Sequence, residues 1–248
     1  MMKRYLGVIF IVLIFACEGD GSDFSPELGG TGVGGSLAKF TISNNQVIVL
    51  NGNEVKQYDI LPDGQLSEKN TLQIFGQLET IFPYADKILI GSSNAVYFLE
   101  FDSEGLLSLL STYDHLTACD PVVASNGIAF STLKVSDCRA GTDDFLEAID
   151  ISDISNPQVL RVYDTQSPFG LAIKGSFLFV CEKGGLTMYS FSPEGNLVEM
   201  DFMTIEGAVP LDIIVNNTYL IVRTDLGIYN IRYSDTELGE VLGSLTID

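Results

Sequence analysis

Five stretches of about forty residues carry one pattern, and a repeat of that length admits few architectures. The apolar runs QVIVL (46–50), KILI (87–90), GIAF (127–130), FLFV (177–180) and YLIV (219–222) each follow a two-residue turn. Those turns are Asn44-Asn45, Ala85-Asp86, Asn126-Gly127, Lys174-Gly175 and Asn216-Asn217. Asn and Gly tolerate positive φ, which a tight hairpin demands. A strand pattern precedes each turn (AKFTIS, ETIFPY, DPVVAS, FGLAI, PLDIIV), and another follows each apolar run (VKQYDI, VYFLEF, LEAIDI, LTMYSF, GIYNIR). Second turns come at PDG 62–64, SEG 103–105, SNP 155–157 and PEG 193–195, and a fourth strand such as LVEMDFM then closes the unit. Every repeat therefore reads as strand A, hairpin, B, turn, C, turn, D. The B runs are apolar on both faces, as expected of a small sheet held between two neighbours. Radial packing of such units makes an all-β fold, a five-bladed β-propeller of four-stranded antiparallel blades. Two stacked sheets are the open rival, and equal repeat length favours the ring.

The repeats fall at about 37–76, 77–117, 118–167, 168–207 and 208–248. From the first turn residue to strand C the spacing is 11, 11, 20, 12 and 11 residues. Repeat 3 thus carries an insertion in its B–C loop, within Ser131–Asp144, and loops that grow on a fixed scaffold tend to carry function.

The N-terminus has a different logic. Lys3 and Arg4 precede an uncharged apolar run from Tyr5 to Ala16, too short for a membrane span and shaped like a secretory signal. Its end, Ile14-Phe15-Ala16-Cys17, resembles the lipobox of bacterial lipoproteins, in which the cysteine is lipidated and becomes the first mature residue. A plain secreted protein cut near Ala16 is the simpler alternative. The expected division is a signal peptide at 1–16, an acidic Gly-rich tether at 17–36 and the propeller at 37–248. Glu18-Gly19-Asp20-Gly21-Ser22-Asp23 resembles the surface-export signals of some Gram-negative lipoproteins, and reads equally as a solvated tether. Gly30-Thr31-Gly32-Val33-Gly34-Gly35 matches G-x-G-x-x-G, but no strand precedes it and a strand pattern follows it. That is a linker and not a dinucleotide site.

Composition narrows the partners. With 13 basic and 33 acidic side chains the formal charge is −20, which would repel nucleic acid phosphates and anionic membrane surfaces. The 46% of apolar residues argues against a disordered acidic chain.

Four cysteines are present, and the lipobox takes Cys17. Cys119 lies in the D–A connection entering repeat 3 and Cys138 in the inserted B–C loop. Both kinds of loop emerge on one face of a propeller, as a short disulfide requires, and an exported protein meets an oxidising compartment. With Cys181 three single pairings are open, and loop geometry favours Cys119–Cys138. Cys181, closing the apolar run FLFVC, suits an inert buried thiol. One histidine and no C-x-x-C pair are too few soft ligands for zinc, and no D-x-D-x-D-G loop marks calcium, so neither metal nor cofactor is expected.

Ile149–Leu160, IDISDISNPQVL, resembles the unit of LVIVD-repeat propeller lipoproteins, where such a stretch joins strands C and D. Cys119-Asp120-Pro121-Val122-Val123, with a second cysteine in the next B–C loop, looks like the same family. Only repeat 3 shows the signature; the others match in length and pattern. The resemblance implies a propeller on the bacterial cell envelope, an outer-membrane lipoprotein anchored through Cys17, and no reaction.

The D–A and B–C face is expected to collect Glu79, His115, Asp120, Arg139, Glu182, Lys183 and Asp225. His115, the only histidine, could touch a ligand or carry a proton, or be a loop residue without a task. Asp120, before Pro121, could face the axis or cap its own loop. A hydrolase would need an acid of raised pKa and a second carboxylate about 5 to 10 Å away, with Glu79, Asp120 and Asp212 as candidates. No motif marks them, the chain has no tryptophan for a sugar platform, and His115 has no nucleophile elbow near it. The sequence points first to a non-catalytic scaffold whose face binds a protein or glycan. A hydrolase comes second, and a structural subunit of a larger envelope complex is a further reading.

Overall fold

The computed structural model describes residues 35–115, 121–134 and 143–247. Twenty strands form five four-stranded antiparallel sheets in sequence order. Blade 1 holds β1 (Phe40–Ser43), β2 (Gln46–Asn51), β3 (Glu54–Ile60) and β4 (Leu66–Gln73). Blade 2 holds β5 (Leu78–Tyr84), β6 (Lys87–Ser92), β7 (Ala95–Phe101) and β8 (Leu107–Asp114). Blade 3 holds β9 (Val122–Ser125), β10 (Ile128–Leu133), β11 (Asp144–Asp150) and β12 (Gln158–Thr165). Blade 4 holds β13 (Pro168–Lys174), β14 (Phe177–Glu182), β15 (Gly185–Phe191) and β16 (Leu197–Met203). Blade 5 holds β17 (Pro210–Val215), β18 (Tyr219–Thr224), β19 (Gly227–Tyr233) and β20 (Leu238–Thr246). The chain is a five-bladed propeller, as the repeat implies.

The A–B hairpins turn where the sequence puts positive φ: Asn44 at 51°, Asn45 at 58°, Ala85 at 51° and Asn126 at 53°. Two turns differ in detail from the expected pairs. In blade 4 strand A keeps Lys174 and the turn is Gly175-Ser176, while blade 5 uses three residues, 216–218. Lys174 stays in the ladder opposite Phe177 because Gly175, at φ 59°, takes the left-handed position.

A feature with no sequence signature recurs in every blade. The C–D pairing slips at a matching position, Gln57/Tyr58, Phe98/Leu99, Ala148/Ile149, Met188/Tyr189 and Asn230/Ile231, and blade 5 slips again at Ile231/Tyr233. Each slip is a bulge in strand D, which adds right-handed twist to the outer edge of the blade.

Four apolar cores join successive blades. Ile48, Leu50 and Val55 meet Ile81, Ile88 and Ile90 between blades 1 and 2. Leu89 and Phe98 meet Ala129 and Ile149 between blades 2 and 3. Phe130 and Leu146 meet Leu178 and Val180 between blades 3 and 4, where the Phe130 and Phe191 rings stand edge to face at 5.0 Å. Phe179 and Met188 meet Leu220 and Ile231 between blades 4 and 5. A polar clamp accompanies each core, reaching from one blade to the C–D turn of the next or, in blade 5, to the first residue after that turn. Gln57 Nε2 donates to Gly105 O at 3.2 Å, Ser111 Oγ to Ile154 O, Tyr163 Oη to Gly195 O at 2.7 Å, and Asp201 Oδ2 accepts from Leu238 N at 2.8 Å.

Between blade 5 and blade 1 no such core forms among the described residues. Phe40 is 62% exposed, Ile42 and Ile228 are exposed, and Gly243 holds the register that Asn70, Ser111 and Asp201 hold elsewhere, with no side chain to offer. Ser36 closes the ring instead. It is 1% exposed, accepts the Leu171 N–H at 2.8 Å and donates to Asp212 Oδ1 at 3.3 Å, so the entry to blade 1 is tied to blades 4 and 5. Gly35 and Ser36, the last residues of the expected tether, thus belong to the packed ring.

Phe130→Ala should cost about 3–5 kcal/mol by emptying a closed core, whereas Phe40→Ala at the open junction should cost under about 1 kcal/mol. Urea denaturation of the two variants checks the contrast. Gly170 lies against the backbone beneath this staple, where a Cβ would sit 2.6 Å from Asp212 Oδ1 and 2.8 Å from Asp212 Cα. Gly170→Ala should therefore destabilise the fold by about 1–3 kcal/mol, read in the same denaturation series.

Candidate functional site

The D–A and B–C connections share one face, and the structure gives that face two polar centres. The first is axial. A pocket of about 320 Å³ is lined by Leu37, Lys39, Gln77, Glu79, Thr80 and Pro121. Glu79 reaches it because the β5–β6 pairing slips between Leu78 and Thr80, leaving Glu79 in a bulge at the strand entrance. Asp212, the other described axial carboxylate, is committed elsewhere. It accepts from Ser36 and from the backbone N–H groups of Ile213 and Leu37, and Gly35 and Gly170 press against it. Burial raises its pKa, with those hydrogen bonds and the Arg223 charge opposing the rise. Its oxygens serve ring closure.

The second centre lies between blades 2 and 3. Tyr113, near the end of β8, donates its hydroxyl to Glu147 Oε2 at 3.1 Å, and the His115 ring lies 6.5 Å from the Tyr113 ring. Glu147 stands on β11 at a register where its side chain turns toward blade 2 beside Ile149. Burial raises the Glu147 pKa, while the Tyr113 hydrogen bond and the His115 charge lower it. Burial also raises the Tyr113 pKa, and the neighbouring carboxylate raises it further. A half-buried carboxyl, a phenol and an imidazole at an interface form a group able to exchange protons or hydrogen-bond a polar ligand.

Of the sequence candidates, His115 belongs to this cluster and is half-buried. Tyr113 and Glu147 were not singled out by sequence, although a lone acid at this position of strand C, in FLEAIDI, is the available signal: the equivalents are Lys56, Tyr97, Thr187 and Tyr229. Glu182 ends β14 with Oε2 accepting from Thr187 Oγ1 at 2.9 Å, and burial raises its pKa. Lys183 is exposed in the next turn. Asp225, exposed in the matching turn of blade 5, accepts the Val209 N–H at 2.7 Å. Cys181 is a free thiol, fully buried, and burial pushes its pKa up. Cys17, Cys119, Asp120, Cys138 and Arg139 lie outside the described residues, as does 135–142 of the repeat 3 insertion. Among the described residues no three His, Cys, Asp or Glu side chains converge as a metal-binding set, and no helix is long and apolar enough to cross a membrane.

No protein-family model matches the chain, and no curated protein matches it in sequence. Solved structures do match its fold. A protein from Lactobacillus plantarum superposes with a TM-score of 0.67 at 17% identity, over 82% of this chain and 69% of that one. A functionally unknown protein from Desulfotomaculum acetoxidans gives 0.63 at 15% identity, covering 81% and 68%. Virginiamycin B lyase from Staphylococcus aureus gives 0.57 at 15% identity, covering 84% and 69%. At these identities the likeness concerns the propeller fold alone.

A carboxyl whose pKa rises on folding costs stability once ionised, and that cost disappears when it is protonated. Glu147→Gln keeps the acceptor for Tyr113 and removes the charge. The variant should be more stable than the parent above about pH 7, and the gain should vanish near pH 3, below the ordinary carboxylate range. Paired denaturation curves at the two pH values check the sign.

Proposed function

We propose that this protein is a cell-envelope lipoprotein of the LVIVD-repeat kind whose propeller is a non-catalytic binding scaffold, presenting its D–A and B–C face to a protein or glycan partner. The lipobox-like Ile14-Phe15-Ala16-Cys17 motivates an acyl anchor at Cys17 and an outer-membrane address, and IDISDISNPQVL motivates the family. The observation that carries the reading is the asymmetry of that face. Four blades join B to C with two residues, and blade 3 uses ten, between Leu133 and Asp144. A long connection on an otherwise minimal scaffold suits recognition. Lys183 and Asp225, exposed on the short turns, would frame the contact beside Arg139, His115, Asp120 and Glu182.

The hydrolase alternative draws less support. Asp212, one of its three carboxylates, is held by Ser36 and two backbone N–H groups beneath Gly35. The lyase among the matching structures shares this chain's fold at 15% identity, too little to carry its chemistry across.

Full-length protein extracted from its own envelope should capture a partner that Lys183→Ala/Asp225→Asn loses, with unchanged thermal unfolding, because Asn keeps the acceptor for the Val209 N–H. Cys119→Ser/Cys138→Ser should weaken capture if the bridge braces the insertion. Capture that survives both variants would sink the assignment of this face. Cys17→Ser should move the protein from the membrane fraction to the soluble one, read by fractionation.

A further inference from the structure

The opposite end of the axis, where the A–B hairpins turn, has a different character. A cavity of about 410 Å³ opens there, walled by apolar side chains that include Phe40, Ile81, Phe82, Leu171, Ile214 and Val215. That volume falls within the range of about 300–1,000 Å³ usual for small-molecule sites. All five A strands or their flanks contribute to the wall. The cavity touches the two sheet faces that have no partner among the described residues: Phe40 comes from the open side of blade 1, paired with Val49, and Ile214 from the open side of blade 5, paired with Ile221. The apolar surface that a fifth inter-blade core would have covered therefore continues into the axial cavity.

One charged side chain lines it. Lys174, the last residue of β13, sits at the rim with Nζ donating to Asn216 O at 3.1 Å, to Asn217 O at 3.0 Å and to Asn217 Oδ1 at 3.3 Å. The ammonium also stands 5.6 Å from the Tyr233 ring centroid. Its hydrogen-bond partners are three neutral oxygens of the blade 5 hairpin, two of whose residues also line the cavity, so in a chain of net charge −20 this cation has no carboxylate partner among the described residues. An ammonium at the mouth of an apolar chamber complements a ligand with an anionic head and an aliphatic tail.

We infer that the axial cavity binds a free single-chain carboxylate amphiphile, a fatty acid, with its chain among Phe40, Ile81, Phe82, Leu171 and Ile214 and its carboxylate on Lys174. The aliphatic chain supplies at the open junction the apolar contact that neighbouring blades supply elsewhere. The carboxylate exchanges its water for the ammonium, which gives up a neutral carbonyl partner for a charged one. This site lies at the opposite end of the axis from the proposed partner face, and its test is independent of that reading.

The test is titration of the full chain, carrying Cys17→Ser so that no acyl group of its own competes, with cis-parinaric acid in detergent-free buffer. Saturable one-to-one binding displaced by dodecanoate is expected. Lys174→Gln should weaken dodecanoate about tenfold, the loss of one charge-assisted contact, and leave dodecanol unchanged. Ile214→Trp should abolish binding of both by filling the chamber. Should Ile214→Trp fail to fold by circular dichroism, the Lys174→Gln comparison of acid against alcohol still decides. No saturable binding, or binding equal for acid and alcohol and indifferent to Lys174→Gln, overturns the proposal. Attachment to zwitterionic vesicles without uptake of free fatty acid also overturns it, making the open face a membrane contact.

Discussion

Burial of both faces of small sheets is the constraint on which this molecule depends. A four-stranded blade of about thirty residues has no interior of its own, so its apolar side chains must find a neighbour on each side. Blades 2, 3 and 4 find two, and Phe98, Phe130 and Phe179 disappear entirely from solvent as a result. Among the described residues blades 1 and 5 each find one. The polar clamps follow the same geometry, because a core that brings two blades together also brings the side chain on one within reach of the C–D turn of the next. Where the core stops, the clamps stop.

Ring closure thus falls to polar groups. Ser36 ties three blades by accepting from Leu171 and donating to Asp212, and Asp212 accepts two backbone N–H groups in addition. A buried carboxylate is costly unless its oxygens are occupied, and occupying them with the entry strand turns that cost into a structural link. The same fact removes Asp212 from the set of groups available for chemistry. The two ends of the axis then differ in kind: a small polar pocket holding Lys39 and Glu79 at one end, and an apolar chamber rimmed by Lys174 at the other.

The polar cluster between blades 2 and 3 has a comparable origin. Glu147 occupies a strand position whose counterparts in the neighbouring repeats are Tyr97 and Thr187, so an acid there is pushed into an interface built for less polar groups. Its burial is tolerated because Tyr113 donates to it and His115 offers positive charge. Tyr113 and His115 are close in sequence, whereas Glu147 lies more than thirty residues further on. Only the packing of one blade on the next makes them a group.

Much of the architecture was legible in the chain itself. Local chemistry fixes hairpins at Asn44-Asn45 and Asn126-Gly127, and runs such as KILI and FLFV announce strands buried on both sides, so the count of blades and their order follow from spacing. The insertion after Leu133 was visible as a break in that spacing. The recurrent bulge in strand D was not, since twist accumulated across a sheet is shared by many residues and marked by none. Nor was the missing fifth core, although Lys56, Arg223 and Asn230 are polar signs of it once the open faces are known. A repeat is written in neighbours along the chain and can be read from them. Closure, the commitment of Asp212 and the union of Tyr113, His115 and Glu147 depend on contacts between distant residues, and those are decided only when the blades pack.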